Sequence, residues 1–415
     1  MSARGRRLAG VVTRVLYIEC GAAETRSAFI IDDVVMRLWF APARGDETLP
    51  RLAEAGDVYL GRVRTISKSL NAAYVDIGEA DDAFLQLKKG EKAPVEGARV
   101  IVSVKRPALG AKGALLTLRT PSGSPSAEEE LAARADSLAA PARLAGGEDA
   151  TLAAFRSIKP AAVDEIVIDS VEAAGALRTF LAAAGAKAPK LVTAPVSFRD
   201  LGVDEAIEVA LERFVSLDGG ARLTFDETEA MTVVDIDSAG ASNANDRINL
   251  AAARALFPEL SRRGAGGRIL VDFLPPSGAK ARASLFDFLA SAAKGAFPGR
   301  AGKLSVDGVF DFNAPREAPT LLERASETVT RKGWIREGRR LSTDWLAKAA
   351  IRALENALAT RPSARLRLLC GAALGAYLGE RPQWRERLAA RFGARFDIVD
   401  DADLEERSFD VSEIR

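Results

Sequence analysis

Between Val58 and Arg119 the chain strings together five short β-type runs, VYLGRVRTIS, AAYVDIG, AFLQL, RVIVSVKR and ALLTLR, each bounded by Gly, Asn, Asp or Pro. So many strands in roughly 60 residues predict a small closed barrel, because closure leaves no unpaired edge. The flanking sequence has a different rhythm. Residues 9–40 alternate apolar and polar positions and predict strands joined by turns. EIVIDS, VEAAGALRTFLAAAG, KLVTA and VDEAIEVALERFV then alternate strand with helix, an α/β signature.

The segment 121–150, with its Pro, Ser and Gly and few β-branched residues, is expected to be a linker with some helix. From Ala221 a hairpin, ARLTFDETEAMTVVDIDSAG, leads into the helical stretch NANDRINLAAARALFPELSRRG and the strand GRILVDFLPP, stopped by Pro-Pro. Helices are predicted at 281–296 and 319–330. A Ser342- or Thr343-capped helix follows, then terminal strands at FDIVDD and FDVSEI. No internal repeat is found.

The 415 residues, 48% of them apolar, suffice for several packed units. Charged residues make up 28% but the net charge is only +1, which excludes a uniformly basic nucleic-acid coat. The chain has no histidine, so Ser-His-Asp, Cys-His and His-ligated zinc chemistry are excluded. Cys20 and Cys370 stand alone, with no CxxC partner, which predicts a reduced, cytoplasmic protein without structural zinc. Arg14 and Glu19 interrupt the apolar stretch a secretory signal needs, and no apolar run is long enough to span a bilayer.

The sharpest chemical signal is MTVVDIDSAG. On a strand Met231, Val233, Asp235 and Asp237 share one face, which sets two carboxylates side by side. Like charges about 4 Å apart repel by roughly 4 kcal/mol at an effective dielectric near 20, so such a pair favours a cation or a proton. A third acid, Asp272, interrupts the apolar ILVDFL. Three acids on two strands suit Mg²⁺, with Mn²⁺ as a substitute, acting on a phosphodiester. The alternative is that they cap turns or pair with arginines such as Arg263 or Arg268. Glu227 and Glu229 are either acceptors for metal-bound water or a solvated turn.

In the barrel, Tyr74 and Phe84 lie on adjacent strands and Lys112 in a Gly-flanked turn. On the face of an OB-fold, the commonest five-stranded barrel, aromatics stack bases and lysine meets phosphate; core packing is the alternative. Between Arg262 and Arg340 fifteen Lys and Arg face eight Asp and Glu, which predicts a surface for a polyanion or simply a solvated face. GAGG at 264–267 lacks a P-loop lysine and reads as a turn.

GDVYLGRVRTISKSLNAAYVDIGEADDAFLQLKKG, LGAKGALLTLR, LTFDETEAMTVVDIDSAGAS and INLAAARAL with GGRILVDFLPP together resemble the bacterial ribonuclease E/G family in order and spacing. The resemblance implies an α+β multidomain protein. An RNase H-like domain (1–54 and 151–218) carries an inserted OB-fold (55–120), followed by a DNase I-like catalytic domain (219–340) and a small C-terminal domain (341–415). It implies a Mg²⁺-dependent endoribonuclease that cuts single-stranded RNA to 5′-phosphate and 3′-hydroxyl products. Asp235 and Asp272 would hold the metal, Asp237, in place of the family's usual asparagine, would orient water, and Tyr74, Phe84 and Lys112 would hold the RNA.

Three departures stand out. The 121–150 segment replaces the family's longer 5′-end sensor, and Arg119-Thr120 and Arg178-Thr179 lie in other surroundings than its Arg-Thr pair. RKGWIREGRR offers no zinc ligand, so any homo-oligomer is expected to form without zinc. DFNAPR at 311–316 retains only Asp311 and Arg316 of a basic phosphate-binding motif, and Arg316 is the remaining RNA contact expected there. These losses motivate an alternative, a catalytically weak or inactive relative that binds RNA through its barrel.

Overall fold

A computed structural model of the protein describes residues 12–43, 46, 53–88, 91, 93–109, 112–118, 125–146, 150–158, 162–183, 188–228, 230–240, 244–295, 297, 299–316, 318–329 and 338–414. Arg119-Thr120, Glu229 and residues 331–337 of the segment without zinc ligands lie outside them.

The first sheet draws strands from both sides of the barrel. Arg14–Cys20 pairs antiparallel with Glu24–Ile31, which pairs with Val34–Pro42. On its other side Arg14–Cys20 runs parallel to Glu165–Ile168, which runs parallel to Lys190–Thr193. A parallel neighbour requires a crossover, and the helix Val171–Ala183 provides it for the last pair. Leu16, Ile18, Ile166, Ile168 and Leu177 form the core beneath.

The barrel closes as expected. Val58–Ser67 pairs with both Ala72–Asp76 and Arg99–Arg106, and Ala83–Gln86 and Leu115–Thr117 complete the ring. The 121–150 segment is more than a linker. It carries the helix Pro125–Asp136 and the strand Ala142–Ala145, which adds to Val58–Ser67 as a sixth strand. Leu144, fully buried against Val58, Leu60 and Ala135, accounts for the order: a short apolar insert gains burial by extending an existing sheet.

A six-stranded sheet follows in the order Phe214–Ser216, Arg222–Glu227, Met231–Asp237, Gly267–Asp272, Val309–Ala314, Arg300–Leu304. The helices Asn245–Arg262 and Ala279–Gly295 carry the residues that cover one face, where Leu223, Val234, Ile236, Ile269, Val271, Phe310 and Phe312 meet Leu256, Phe257, Leu260 and Leu289. The expected helix at 319–330 is shorter. It spans Leu321–Ala325 behind a Thr320–Glu323 capping box, and Ser326–Val329 becomes a strand paired with Gly338–Leu341. Cross-strand pairing of SETV overrides its helical pattern. The C-terminal unit packs Thr343–Thr360, capped by Ser342, Ala372–Gly379 and Pro382–Phe392 on a three-stranded sheet.

Candidate active site on an open sheet face

Alternation within the six-stranded sheet decides what reaches solvent. Thr232, Val234 and Ile236 are buried, whereas Met231, Val233, Asp235 and Asp237 lie on the face away from the two helices. In the parallel neighbour, Asp272 is the exposed last residue. The register pairs Asp235 with Asp272 directly, and in-register residues on adjacent strands project to the same side, about 4.8 Å apart. Among the described residues neither carboxylate has a hydrogen-bond or ion-pair partner. Partial burial, then the Asp272 and Asp237 charges, push the Asp235 carboxyl above its ordinary range. Both side chains touch water, so the repulsion is screened to a fraction of its dry value.

Asp237 is held differently. Arg222, opposite it on Arg222–Glu227, donates to Oδ2 at 2.7 Å, and the Ala239 N–H donates to Oδ1 at 2.8 Å. The Ala239 bond and the guanidinium hold this carboxyl below its ordinary range. Ala239 adopts φ 46, an uncommon left-handed conformation for a residue with a Cβ. The arginines weighed as neutralisers lie elsewhere. Arg263 is buried over Phe225, 4.1 Å from the ring centroid, and Arg268 pairs with Asp311 at 3.5 Å at the far end of the strand.

The end of the Asp272 strand is fixed from below. Asn249 on the long helix donates to the Leu274 carbonyl at 2.8 Å and accepts the Leu274 N–H at 3.1 Å. Asp246 accepts the Ser277 N–H at 3.0 Å. Gly308 is required here, since a Cβ would stand 2.2 Å from the Phe273 carbonyl oxygen. Sequence reasoning missed Asn249, Arg222 and Asp226. The alternation in ARLTFDE offered a signal for the last two, since Arg222, Thr224 and Asp226 share a face.

Glu227 lies at the other end of this hairpin. It accepts the Thr320 hydroxyl at 2.7 Å, and burial raises its pKa. It stands three strand positions from Asp235's register, about 10 Å, and is a structural acceptor away from the acid pair.

Tyr74 and Phe84 are in register on adjacent strands, with ring centroids 5.6 Å apart edge to face. Both are half-buried and outside the barrel core, which is built from Ala73, Val75, Ala83 and Leu85. Lys112 is exposed and exchanges backbone hydrogen bonds with Leu109. Arg316 is not beside the acids. It follows Val309–Ala314, whose Ala314 end faces Gly267 while Val309 faces Asp272, so a strand length of about 17 Å intervenes. Arg316 Nη2 donates to Glu323 at 2.6 Å, and its charge helps lower the pKa of the barrel's Arg106 behind the larger effect of burial.

Among the described residues no three acidic or thiol side chains converge to hold a metal. The exposed pair alone offers two carboxylates, a donor set that suits a hard cation completed by water and phosphate oxygens.

Fold and site thus define a multidomain α+β protein with a closed barrel and a pair of carboxylates, unpartnered among the described residues, on the open face of a helix-backed sheet. Residues 126–296, which include both acids, match the model of the Ribonuclease E/G family. Ribonuclease E of Escherichia coli is 25% identical over 384 residues, covering 69% of this chain and 36% of that protein. Ribonuclease E of Buchnera aphidicola is 24% identical over 413 residues, covering 76% of this chain and 46% of that protein. Ribonuclease G of Escherichia coli is 42% identical over 78 residues, 17% of this chain and 16% of that protein. The chain is thus similar to the ribonuclease E/G family, by the family model over residues 126–296 and by these relatives at modest identity. It spans less than half the length of the ribonuclease E relatives it matches. No helix among the described residues is long and apolar enough to cross a membrane.

Proposed function

We propose that this protein is a divalent-metal-dependent endoribonuclease that cuts single-stranded RNA and leaves a 5′-phosphate and a 3′-hydroxyl, in RNA processing or decay. One observation carries the reading: Asp235 and Asp272 stand in register inside the segment that matches the family model, and neither has a protein partner among the described residues. Mg²⁺, with Mn²⁺ as a substitute, fits two carboxylates because it keeps several waters and binds substrate phosphate. A cation held there supplies charge neutralisation at the phosphoryl oxygens and lowers the pKa of water. Asp237, fixed by Arg222 and Ala239, keeps lone pairs on both oxygens and would orient the attacking water. Tyr74 and Phe84 would stack bases and Lys112 would meet phosphate. In this reading the first sheet is RNase H-like, the barrel an OB-fold and the six-stranded sheet DNase I-like, with the boundaries given above.

Two observations favour a second reading, a relative that binds RNA and cuts it weakly. Asp237 is taken up by Arg222, and Arg316 by Glu323. The test is incubation of the purified chain with Mg²⁺ and an AU-rich single strand. Asp235→Asn or Asp272→Asn should lower cleavage at least about 100-fold, on the order of 3 kcal/mol, with RNA binding largely kept. Parent-like cutting by either variant overturns the site assignment; tight, salt-sensitive binding by the parent without fragments selects the second reading.

A further inference from the structure

The edge strand Phe214–Ser216 carries a feature that the acid pair does not use. Phe214 is 44% exposed, the most exposed aromatic among the described residues. It stands opposite Thr224, Thr224 opposite Asp235, and Asp235 opposite Asp272, so one row across the sheet joins the ring to the acids. Two strand spacings separate Phe214 from Asp235, about 10 Å.

Two guanidiniums flank the ring. Arg213 lies 5.2 Å and Arg222 4.8 Å from its centroid. Each is fixed by a carboxylate: Arg213 donates Nε and Nη2 to Asp226 at 2.7 and 2.8 Å, and Arg222 donates to Asp237 at 2.7 Å. A guanidinium has five N–H donors, so both retain donors beyond those their carboxylates take. The neighbours on this face, Ser216, Thr224 and Asp226, are polar or acidic. A lone ring between cations is poorly suited to a protein interface, which needs a contiguous apolar centre. It does suit a nucleotide, whose base stacks on aromatic or guanidinium planes and whose phosphate accepts from arginine.

We propose that Arg213, Phe214 and Arg222 form a stacking site for one base of single-stranded RNA, on the nucleotide that flanks the cutting position on the side of this edge strand. The site rests on the RNA reading above and adds a subsite to it. Stacking is tolerant of base identity because every base has a π-face, so the site fixes the strand's path more than its sequence. Arg222 links the two places, since the guanidinium beside the ring also orients Asp237.

The test is a binding cycle on the full-length chain in EDTA, which prevents cutting. A 12-mer single-stranded RNA is scanned with one abasic nucleotide at a time, against the parent, Phe214→Ala and Phe214→Trp. Phe214→Ala should weaken binding of the intact strand about tenfold, the low end of one lost stack. One abasic position should erase that difference, and Phe214→Trp should restore parent-like affinity. Equal binding by parent and Phe214→Ala, or a loss that no abasic position erases, overturns the subsite and leaves the RNA reading standing. A parent that binds no single strand overturns both. Circular dichroism of each variant guards against misfolding, and the Trp variant decides the matter should the Ala variant unfold.

Discussion

The molecule treats its acids in two opposite ways. At the junction of the first sheet with the C-terminal unit, Glu19 and Asp204 both bind Arg26, which is 2% exposed. Glu24 binds Arg352, Asp46 binds Arg387, and Asp169 meets Arg391 at 3.4 Å. On the open face of the six-stranded sheet, Asp235 and Asp272 stand side by side with no such partner among the described residues. Buried charge without a partner costs several kcal/mol, so the junction acids are matched by guanidiniums. Exposed charge is tolerated unpaired because water screens it, which leaves the sheet face able to accept a cation. Residue type is the same in both places; solvent access and pairing separate architecture from chemistry.

The largest way to break this contrast is Arg26→Ala, which strips both Glu19 and Asp204 of their partner. A loss of about 3–5 kcal/mol in denaturant unfolding is expected. A loss below about 1 kcal/mol would mean that the junction is no more dependent on pairing than a surface ion pair.

A smaller effect sharpens it through pH. Glu355 accepts the Ala22 N–H at 3.0 Å across the same junction, with Arg391 at 3.6 Å and Glu19 and Asp169 also facing it. Burial raises its carboxyl from an ordinary 4.5 to about 7, despite Arg391 and the Ala22 N–H. The folded state therefore holds this proton more tightly than the unfolded chain. Its contribution is complete below about pH 4.5 and lost as pH rises through about 7. Glu355→Gln should flatten the parent's decline in stability between pH 5 and 8, by at most about 3 kcal/mol. Thermal melts across that range check it, and parallel profiles for the two proteins would remove the assignment.

The smallest effect is expected on the open face. Without added metal, Asp235→Asn should change stability by less than about 1 kcal/mol, since it removes a screened repulsion and no partner among the described residues. Adding Mg²⁺ should raise the melting temperature of the parent and not of Asp235→Asn, because a ligand that binds only the folded state stabilises it. Equal shifts in both would place the cation elsewhere.

Much of the site was legible before any tertiary information. Period-two alternation alone put Asp235 and Asp237 on one face and marked Asp272 as an acid in an apolar run. The barrel pairing of Tyr74 with Phe84 was anticipated in the same way, from runs on adjacent strands. The place of Arg316 was not legible in the sequence, because six residues of intervening strand carry it to the opposite end of the sheet from Asp272. The 121–150 segment looked like a linker because its polarity conceals Leu144, the residue that anchors it.

Local chemistry in the sequence set the strand and helix periods, the absence of histidine mechanisms and the acids available for a cation. Tertiary structure alone chose which face the helices cover, the register that sets Asp235 against Asp272, and the capture of Asp237 by Arg222. The reason is range. Periodicity acts between residues two to four apart, whereas register and pairing are decided by contacts between segments tens of residues apart, where burial and charge are balanced over the whole chain.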